Sequence, residues 1–74
     1  MIFKILNEKN QIIDYLSVFN IPENNIDAFC LIYDWVQLMR KGASFRVVKP
    51  NEEIKKKELF NQIDFKLLRT IVKN

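Results

Sequence analysis

The chain has no histidine, one cysteine and one glycine among its 74 residues. Without histidine, no Ser–His or Cys–His pair can form an activated nucleophile, and no imidazole can act as a general base. The single glycine, Gly42, excludes the phosphate-binding loop and the dinucleotide fingerprint, because both need several glycines where the backbone approaches phosphate. We therefore expect a protein that is not an enzyme and that uses no cofactor.

The single cysteine, Cys30, excludes an intramolecular disulfide, and a structural zinc site needs about four Cys or His ligands. Asp27 and Asp34 lie one helical turn on either side of Cys30, and nearby carboxylates oppose formation of the thiolate. We interpret Cys30 as a small apolar residue on the flank of a helix. Because a lone thiol suits a reducing compartment, we expect a cytoplasmic protein.

Long apolar runs are also missing. MIFKIL is followed at once by NEKNQ, which rules out a continuous signal-peptide core. The longest uncharged apolar run, residues 28–33, is far shorter than the ~20 residues that cross a bilayer, so we expect no membrane partner. A chain of this length predicts one domain, residues 1–74, with a small core. Either this core is apolar enough by itself, which the 49% hydrophobic content supports, or the domain packs on another chain.

Charge is distributed unevenly along the chain. Residues 1–34 carry two lysines against five acidic residues, a net −3, whereas residues 35–74 carry ten Lys and Arg against four acidic residues, a net +6. The overall +3 therefore belongs to a dipolar molecule, and such asymmetry can steer association with an acidic partner or a nucleic acid.

The first part of the chain predicts a β-hairpin. Residues 2–6 and 11–18 have the β-branched and aromatic content of strands, and the intervening NEKN has asparagine at both ends. Asparagine tolerates left-handed backbone angles and forms local turns. Neither face of the second strand is cleanly polar, so we expect a helix on one face and a partner on part of the other.

Residues 23–41 have the periodicity of an amphipathic helix, with Pro22 suited to its start. Gly42 stands where a helix takes a left-handed residue after its end, and Arg40 and Lys41 would interact favourably with the dipole in the last turn. The end of a helix is therefore sufficient to explain the basic sequence Arg40-Lys41-Gly42, and no ligand is required. The expected N-terminal caps are Asn20, Asn24 or Asn25.

This helix is apolar around most of its circumference, which is typical of a central helix or of an interface. We expect its Leu31, Trp35 and Leu38 side to be covered partly by the C-terminal segment and partly by another molecule. The two adjacent apolar stripes are Phe29, Ile32, Val36 and Met39, and Ala28, Leu31, Trp35 and Leu38.

The rest of the chain predicts a third strand over SFRVVKP and a second helix that begins after Asn51, with Glu52 and Glu53 in its first turn. Residues 59–73 have helical spacing, but their alternation around 63–67 also suits a strand, so one helix, two helices and a strand stay open. The order ββαβα predicts an α+β fold: a small antiparallel sheet, made of the hairpin and a third strand, with a central helix and a C-terminal helix.

The favoured functional hypothesis is a small, non-catalytic modulator that binds a larger host protein. Ile, Lys and Asn make up 27 of the 74 residues, a bias associated with AT-rich genomes, including those of phages and mobile elements that encode inhibitors of host proteins. Trp and Tyr dominate interface hot spots, and cations recognise acidic surfaces. The predicted partner-binding residues are Tyr33, Trp35, Arg40, Lys41 and Arg46.

Two alternatives stay open at this point. One is a basic regulator that binds DNA or RNA through phosphate contacts, with a strong dependence on salt. The other is a homodimer that closes its own apolar helix face. The residues predicted for the nucleic-acid alternative are Arg40, Arg46, Lys49, Lys55, Lys56 and Lys57.

Overall fold

The computed structural model describes residues 1–23 and 27–73 and shows an α+β fold, as the sequence predicted. A short 3-10 turn, Lys57–Leu59, precedes the last strand. The strands and helices are β1 (Ile2–Leu6), β2 (Ile12–Phe19), α1 (Ala28–Met39), β3 (Ser44–Val47), β4 (Phe60–Asp64) and α2 (Phe65–Lys73).

The strands form one sheet in the order β3-β1-β2-β4. β1 is antiparallel to both β2 and β3, but β4 is parallel to β2, with Tyr15 opposite Phe60 and Phe19 opposite Asp64. The sheet is therefore mixed and has four strands, where the sequence predicted three antiparallel ones. The difference arises because the connection from β3 to β4 spans the sheet and delivers β4 in the same direction as β2.

The hairpin prediction is confirmed, and asparagines form its turn. The Asn7 side-chain oxygen accepts hydrogen bonds from the N–H groups of Lys9 and Gln11, both at 2.9 Å. Asn10 adopts the left-handed φ of 60° that asparagine tolerates better than most residues. An irregularity in the ladder follows Ile5, and it gives β2 one extra residue near the turn.

Helix α1 is shorter than predicted at both ends. Asp27 precedes it without a side-chain cap, and the candidate caps Asn24 and Asn25 lie outside the described residues. Asn20, the third candidate, instead donates a hydrogen bond to the Asp64 carboxylate at 2.8 Å. The helix ends at Met39, so the prediction that Arg40 and Lys41 lie in its last turn is wrong.

The helix end is built from three local features. The Arg40 N–H donates to the Val36 carbonyl at 2.7 Å, and the Arg40 guanidinium donates to the Met39 carbonyl at 2.9 Å. Gly42 then adopts a φ of 84°, the left-handed conformation predicted for it. The chain can therefore turn directly from α1 into β3.

The core lies between the sheet and the two helices. Helix α1 buries one stripe that draws on both predicted stripes, whereas Phe29, Leu38 and Met39 stay exposed. From α2, Phe65 and Leu68 complete the core. The buried residues of α1 are Ala28, Leu31, Ile32, Trp35 and Val36.

The opposite face of the sheet is covered by the chain itself, in the connection between β3 and β4. The predicted helix after Asn51 is wrong, because Pro50 and Asn51 form the corners of a turn in which the Glu52 N–H donates to the Lys49 carbonyl. Further along, the Lys55 N–H donates to the hydroxyl of Tyr15, a fully buried side chain of β2.

For residues 59–73 the sequence left one helix, two helices and a strand open, and the structure shows the strand β4 followed by the helix α2. Helix α2 begins directly after β4, and the Asp64 carboxylate caps it by accepting a hydrogen bond from the Lys66 N–H at 2.8 Å. Within residues 1–23 and 27–73, no helix has the length and apolarity needed to cross a membrane.

Candidate functional site

One flank of α1 presents a row of side chains toward β3. Phe29, Tyr33 and Gln37 recur every fourth residue, so they lie on the same side of the helix. Phe29 is 48% exposed and Tyr33 is 53% exposed, although both are large aromatic residues in a small domain. The row therefore leaves aromatic surface uncovered beside the edge strand of the sheet.

Phe3 connects this helix flank to β3. Its buried ring makes edge-to-face contacts with Phe29 (centroids 5.9 Å apart) and with Phe45 (5.6 Å). Val47 lies opposite Phe3 in the ladder and is also exposed. Tyr33 lines a groove together with Phe45, which is partly buried against the core. We call this surface the aromatic edge patch and define it as Phe29, Tyr33, Phe45 and Val47.

A shallow groove of about 370 Å³ lies within this surface, between α1 and the start of β3. Gln37 braces its floor, because its side-chain amide donates to the Ala43 carbonyl at 2.8 Å. The groove is therefore bounded by a helix and a strand rather than by a loose loop. Its lining residues are Tyr33, Gln37, Gly42, Ala43, Ser44 and Phe45.

Among residues 1–23 and 27–73, no strand pairs with the outer side of β3. β3 is the end strand of the sheet, and the Val48 N–H donates to the Ile2 carbonyl of β1. Because antiparallel hydrogen bonding alternates, Arg46 also directs its N–H and C=O toward β1, whereas Phe45 and Val47 direct theirs outward. The free edge thus lies beside the aromatic edge patch.

The other face of this edge is basic. Arg46 lies opposite Lys4, whose ammonium forms a 2.7 Å ion pair with Glu52. That ion pair and the N–H of Lys49 lower the pKa of the Glu52 carboxyl below its ordinary value. Within the described ranges 1–23 and 27–73, Arg46 itself has no carboxylate partner. Arg46 and the exposed Lys49 therefore leave positive charge available at this edge.

Arg40 has a structural role in this arrangement. Its guanidinium lies 3.1 Å from the carboxylate of Asp14, a side chain that is almost entirely buried. The same carboxylate accepts hydrogen bonds from the Asn61 amide and from the Tyr15 N–H. Arg40 thus ties the end of α1 to β2, while the neighbouring Lys41 is exposed and lines a second groove near the hairpin turn.

The structure brings together some of the predicted partner-binding residues but not all of them. Tyr33 is exposed in the aromatic edge patch, and Arg46 lies on the adjacent strand. Trp35 is only 8% exposed and belongs to the core, so its surface is not accessible in this fold. Arg40 and Lys41 lie beyond the end of α1, at the second groove.

Most of the residues predicted for nucleic-acid binding lie in β3 and in the connection that follows it, whereas Arg40 follows α1. Lys49, Lys55, Lys56 and Lys57 follow the connection that spans the sheet, and Lys56 donates from its ammonium to the Ile12 carbonyl. Arg40 is paired with Asp14. Across the described residues, no group of three or more Cys, Asp or Glu side chains is arranged to hold a metal ion.

Sequence reasoning missed three members of the aromatic edge patch. Phe29 stood in one of the predicted apolar stripes of α1, but it is exposed. The third strand was predicted without an assignment of its exposed side chains; Phe45 packs partly on the core, and Val47 is exposed at the edge. The sequence does contain one indication of this surface: Phe29, Tyr33 and Gln37 are spaced four residues apart. This spacing predicts that their side chains form a row along the helix, beside the buried stripe.

Comparisons with models of known protein families, with curated protein sequences and with solved structures found no match to this chain.

Proposed function

We propose that this chain is a non-catalytic domain that binds another protein through the aromatic edge patch. The observation that carries the proposal is the position of Phe29, Tyr33 and Phe45 beside the end strand of the sheet: Phe29 and Phe45 both contact Phe3, and Tyr33 and Phe45 line one groove. Single exposed apolar side chains are common on protein surfaces, but contiguous aromatic ones beside free backbone groups are typical of interaction sites.

The physical properties of the patch favour a protein partner. Aromatic side chains provide large contact areas and lose little conformational entropy on binding, because they rotate about only two side-chain angles. Tyr33 also supplies a hydroxyl, and Gln37 already braces the groove beside it. Since the patch is carried by a helix and a strand, binding requires little ordering of the free protein.

The proposed partner is larger than this domain, and the consequence of binding is modulation of that partner. A domain of this size acts by covering a surface, so inhibition or redirection of the covered protein is the expected result. Arg46 and Lys49 favour an acidic contact area on the partner. Trp35 contributes indirectly, by packing the core that holds α1 against the sheet.

Site-specific photocrosslinking in the native host tests this proposal. A benzophenone amino acid is placed at Tyr33 in one variant and at Leu67 in another, because these side chains are 53% and 54% exposed. Leu67 lies on α2, so it is a matched control outside the patch. We expect a discrete protein adduct from position 33, resistant to nuclease, and none from position 67.

Two results would contradict the proposal. Equal adducts from both positions would show that the patch has no preference over other apolar surface. An adduct at position 33 that nuclease removes would favour the nucleic-acid alternative instead.

A further inference from the structure

We infer that the partner contributes an extended, acidic segment that pairs with the free edge of β3 as an additional strand. The inference rests on the proposed function and specifies the chemistry of the partner. It depends on the outward backbone groups of Phe45 and Val47, and on the different character of the two faces of β3.

The hydrogen-bonding capacity of the edge fits an added strand. Phe45 and Val47 each direct one N–H and one C=O away from β1, so an antiparallel segment can form about four backbone hydrogen bonds with them. Such a segment takes its affinity from the backbone and its specificity from side chains that alternate between the two faces.

The side chains of β3 specify what the segment contains. On the helix side, a residue opposite Phe45 or Val47 would contact the aromatic edge patch, so apolar residues are favoured there. On the other face, the N–H and C=O of Arg46 point toward β1, so Arg46 and the partner residue opposite it would be a non-hydrogen-bonded pair. In such a pair the two side chains lie close together. An acidic residue at that position would supply the carboxylate that Arg46 lacks within residues 1–23 and 27–73.

A second copy of this chain is a poorer occupant than an acidic segment. In a two-fold antiparallel pairing of β3 that joins Phe45 to Val47 of the other copy, the two Arg46 side chains stand directly opposite each other. Like charges in that position are destabilising. Both copies would also bring Lys49 to the same interface, which adds to the repulsion.

The other end strand of the sheet is less suited to an acidic segment. β4 exposes Asn61 and Gln62, which are polar, and it ends at Asp64. An added carboxylate there would be close to an existing one rather than to a cation. The combination of apolar surface on one face and positive charge on the other occurs at β3.

A binding experiment with defined peptides tests the inference on the full chain. The probe is a capped, fluorescent peptide of alternating Val and Glu, compared with one of alternating Val and Lys and with a backbone N-methylated form of the first. We expect only the unmodified Val and Glu peptide to bind. In amide-resolved NMR it should slow the hydrogen exchange of Phe45 and Val47, the two outward N–H groups.

The variants separate the backbone contribution from the charge contribution. Val47→Pro removes an outward N–H without removing a bond to β1, since proline is tolerated on an edge strand. Val47→Thr keeps that N–H and the β-branched shape, so the difference between the two variants isolates the contribution of the N–H. We expect Val47→Pro and Arg46→Glu each to weaken peptide binding by about tenfold or more, Val47→Pro to weaken it more than Val47→Thr, and Arg69→Glu to have less than about a threefold effect.

The outcomes distinguish this inference from the proposed function. If Val47→Pro leaves both peptide binding and crosslinking from position 33 unchanged, the edge is not used and the inference is wrong, although the proposed function stands. Equal binding of the Glu and Lys peptides would overturn the acidic specificity. Absence of any protein adduct from position 33 would instead contradict the proposed function.

Discussion

The guanidinium of Arg40 lies 3.1 Å from the carboxylate of Asp14, and the Asp14 side chain is only 5% exposed. A buried carboxylate is costly unless charge and hydrogen bonds satisfy it, and here Arg40, Asn61 and the Tyr15 N–H do so. The basic junction after α1 is thus an attachment between helix and sheet, in addition to a helix end.

Removal of the Arg40 guanidinium should destabilise the fold. We expect Arg40→Ala to lower the free energy of unfolding by about 1–2 kcal/mol, less than for a fully buried pair because Arg40 is 48% exposed. Urea unfolding followed by the fluorescence of buried Trp35 measures the change. Arg69→Ala, on the exposed face of α2, should stay within about 0.5 kcal/mol. Equal effects of the two substitutions would refute a structural role for Arg40.

Stability should decrease in acid, partly because of Glu52. Lys4 and the Lys49 N–H lower the pKa of Glu52 in the folded state below the ordinary value of 4.5. The stabilisation is therefore fully present above that value, and it is lost as the pH falls through the folded-state pKa. Asp64 behaves in the same way, because Asn20 and the Lys66 N–H lower its pKa below 3.8.

Urea unfolding at a series of pH values tests this assignment. Glu52→Gln and Lys4→Met should both make the decrease in stability below pH 4.5 shallower, because each removes the ion pair. Lys9→Met is the control, since Lys9 is an exposed lysine of the hairpin turn. An acid dependence that is identical in all four proteins would show that the Lys4–Glu52 pair does not contribute.

Gly42 is required for its backbone conformation rather than for space. Its φ is 84°, and a Cβ added there would meet no heavy atom within 4 Å. Gly42→Ala should therefore cost about 1 kcal/mol of stability from the left-handed backbone alone. Gly42→Asn should cost less, because asparagine tolerates this region better. A destabilisation by alanine no larger than that by asparagine would contradict this explanation.

The purified protein should be a monomer. The Arg46 side chains oppose each other in the two-fold pairing of β3, and the chain carries a net charge of +3. Light scattering at micromolar concentration and moderate salt should give the monomer mass of 8.9 kDa. A stable dimer that Tyr33→Ala abolishes would mean that the patch is closed by a second copy.

Much of the fold follows from local patterns in the sequence. The asparagine-bounded turn specifies the hairpin, and Gly42 marks the exit from α1, because both depend on backbone angles that few residues adopt. The connection between β3 and β4 was not predictable in this way. Its turn at Pro50 is closed by a local hydrogen bond, but its path across the sheet depends on contacts such as that of the Lys55 N–H with the Tyr15 hydroxyl, 40 residues away in the chain.

Only part of the candidate site could be predicted, because exposure depends on tertiary packing. Tyr33 and Arg46 were identified because their residue types are common at interfaces. Trp35 was chosen on the same ground, but it lies on the buried side of α1, and periodicity alone did not decide which of two adjacent stripes faces the sheet. The exposure of Phe29 and Val47 depends on β3 being the end strand, which is a property of the topology.

The affinity of the crosslinked partner for matched variants tests the central claim most directly. Calorimetric titration of that partner with Tyr33→Ala and Leu67→Ala compares two equally exposed side chains, one inside the aromatic edge patch and one outside it. We predict that Tyr33→Ala weakens binding by about tenfold or more while Leu67→Ala changes it by less than about twofold. Unchanged affinity for Tyr33→Ala, together with a loss for Leu67→Ala, would contradict the account.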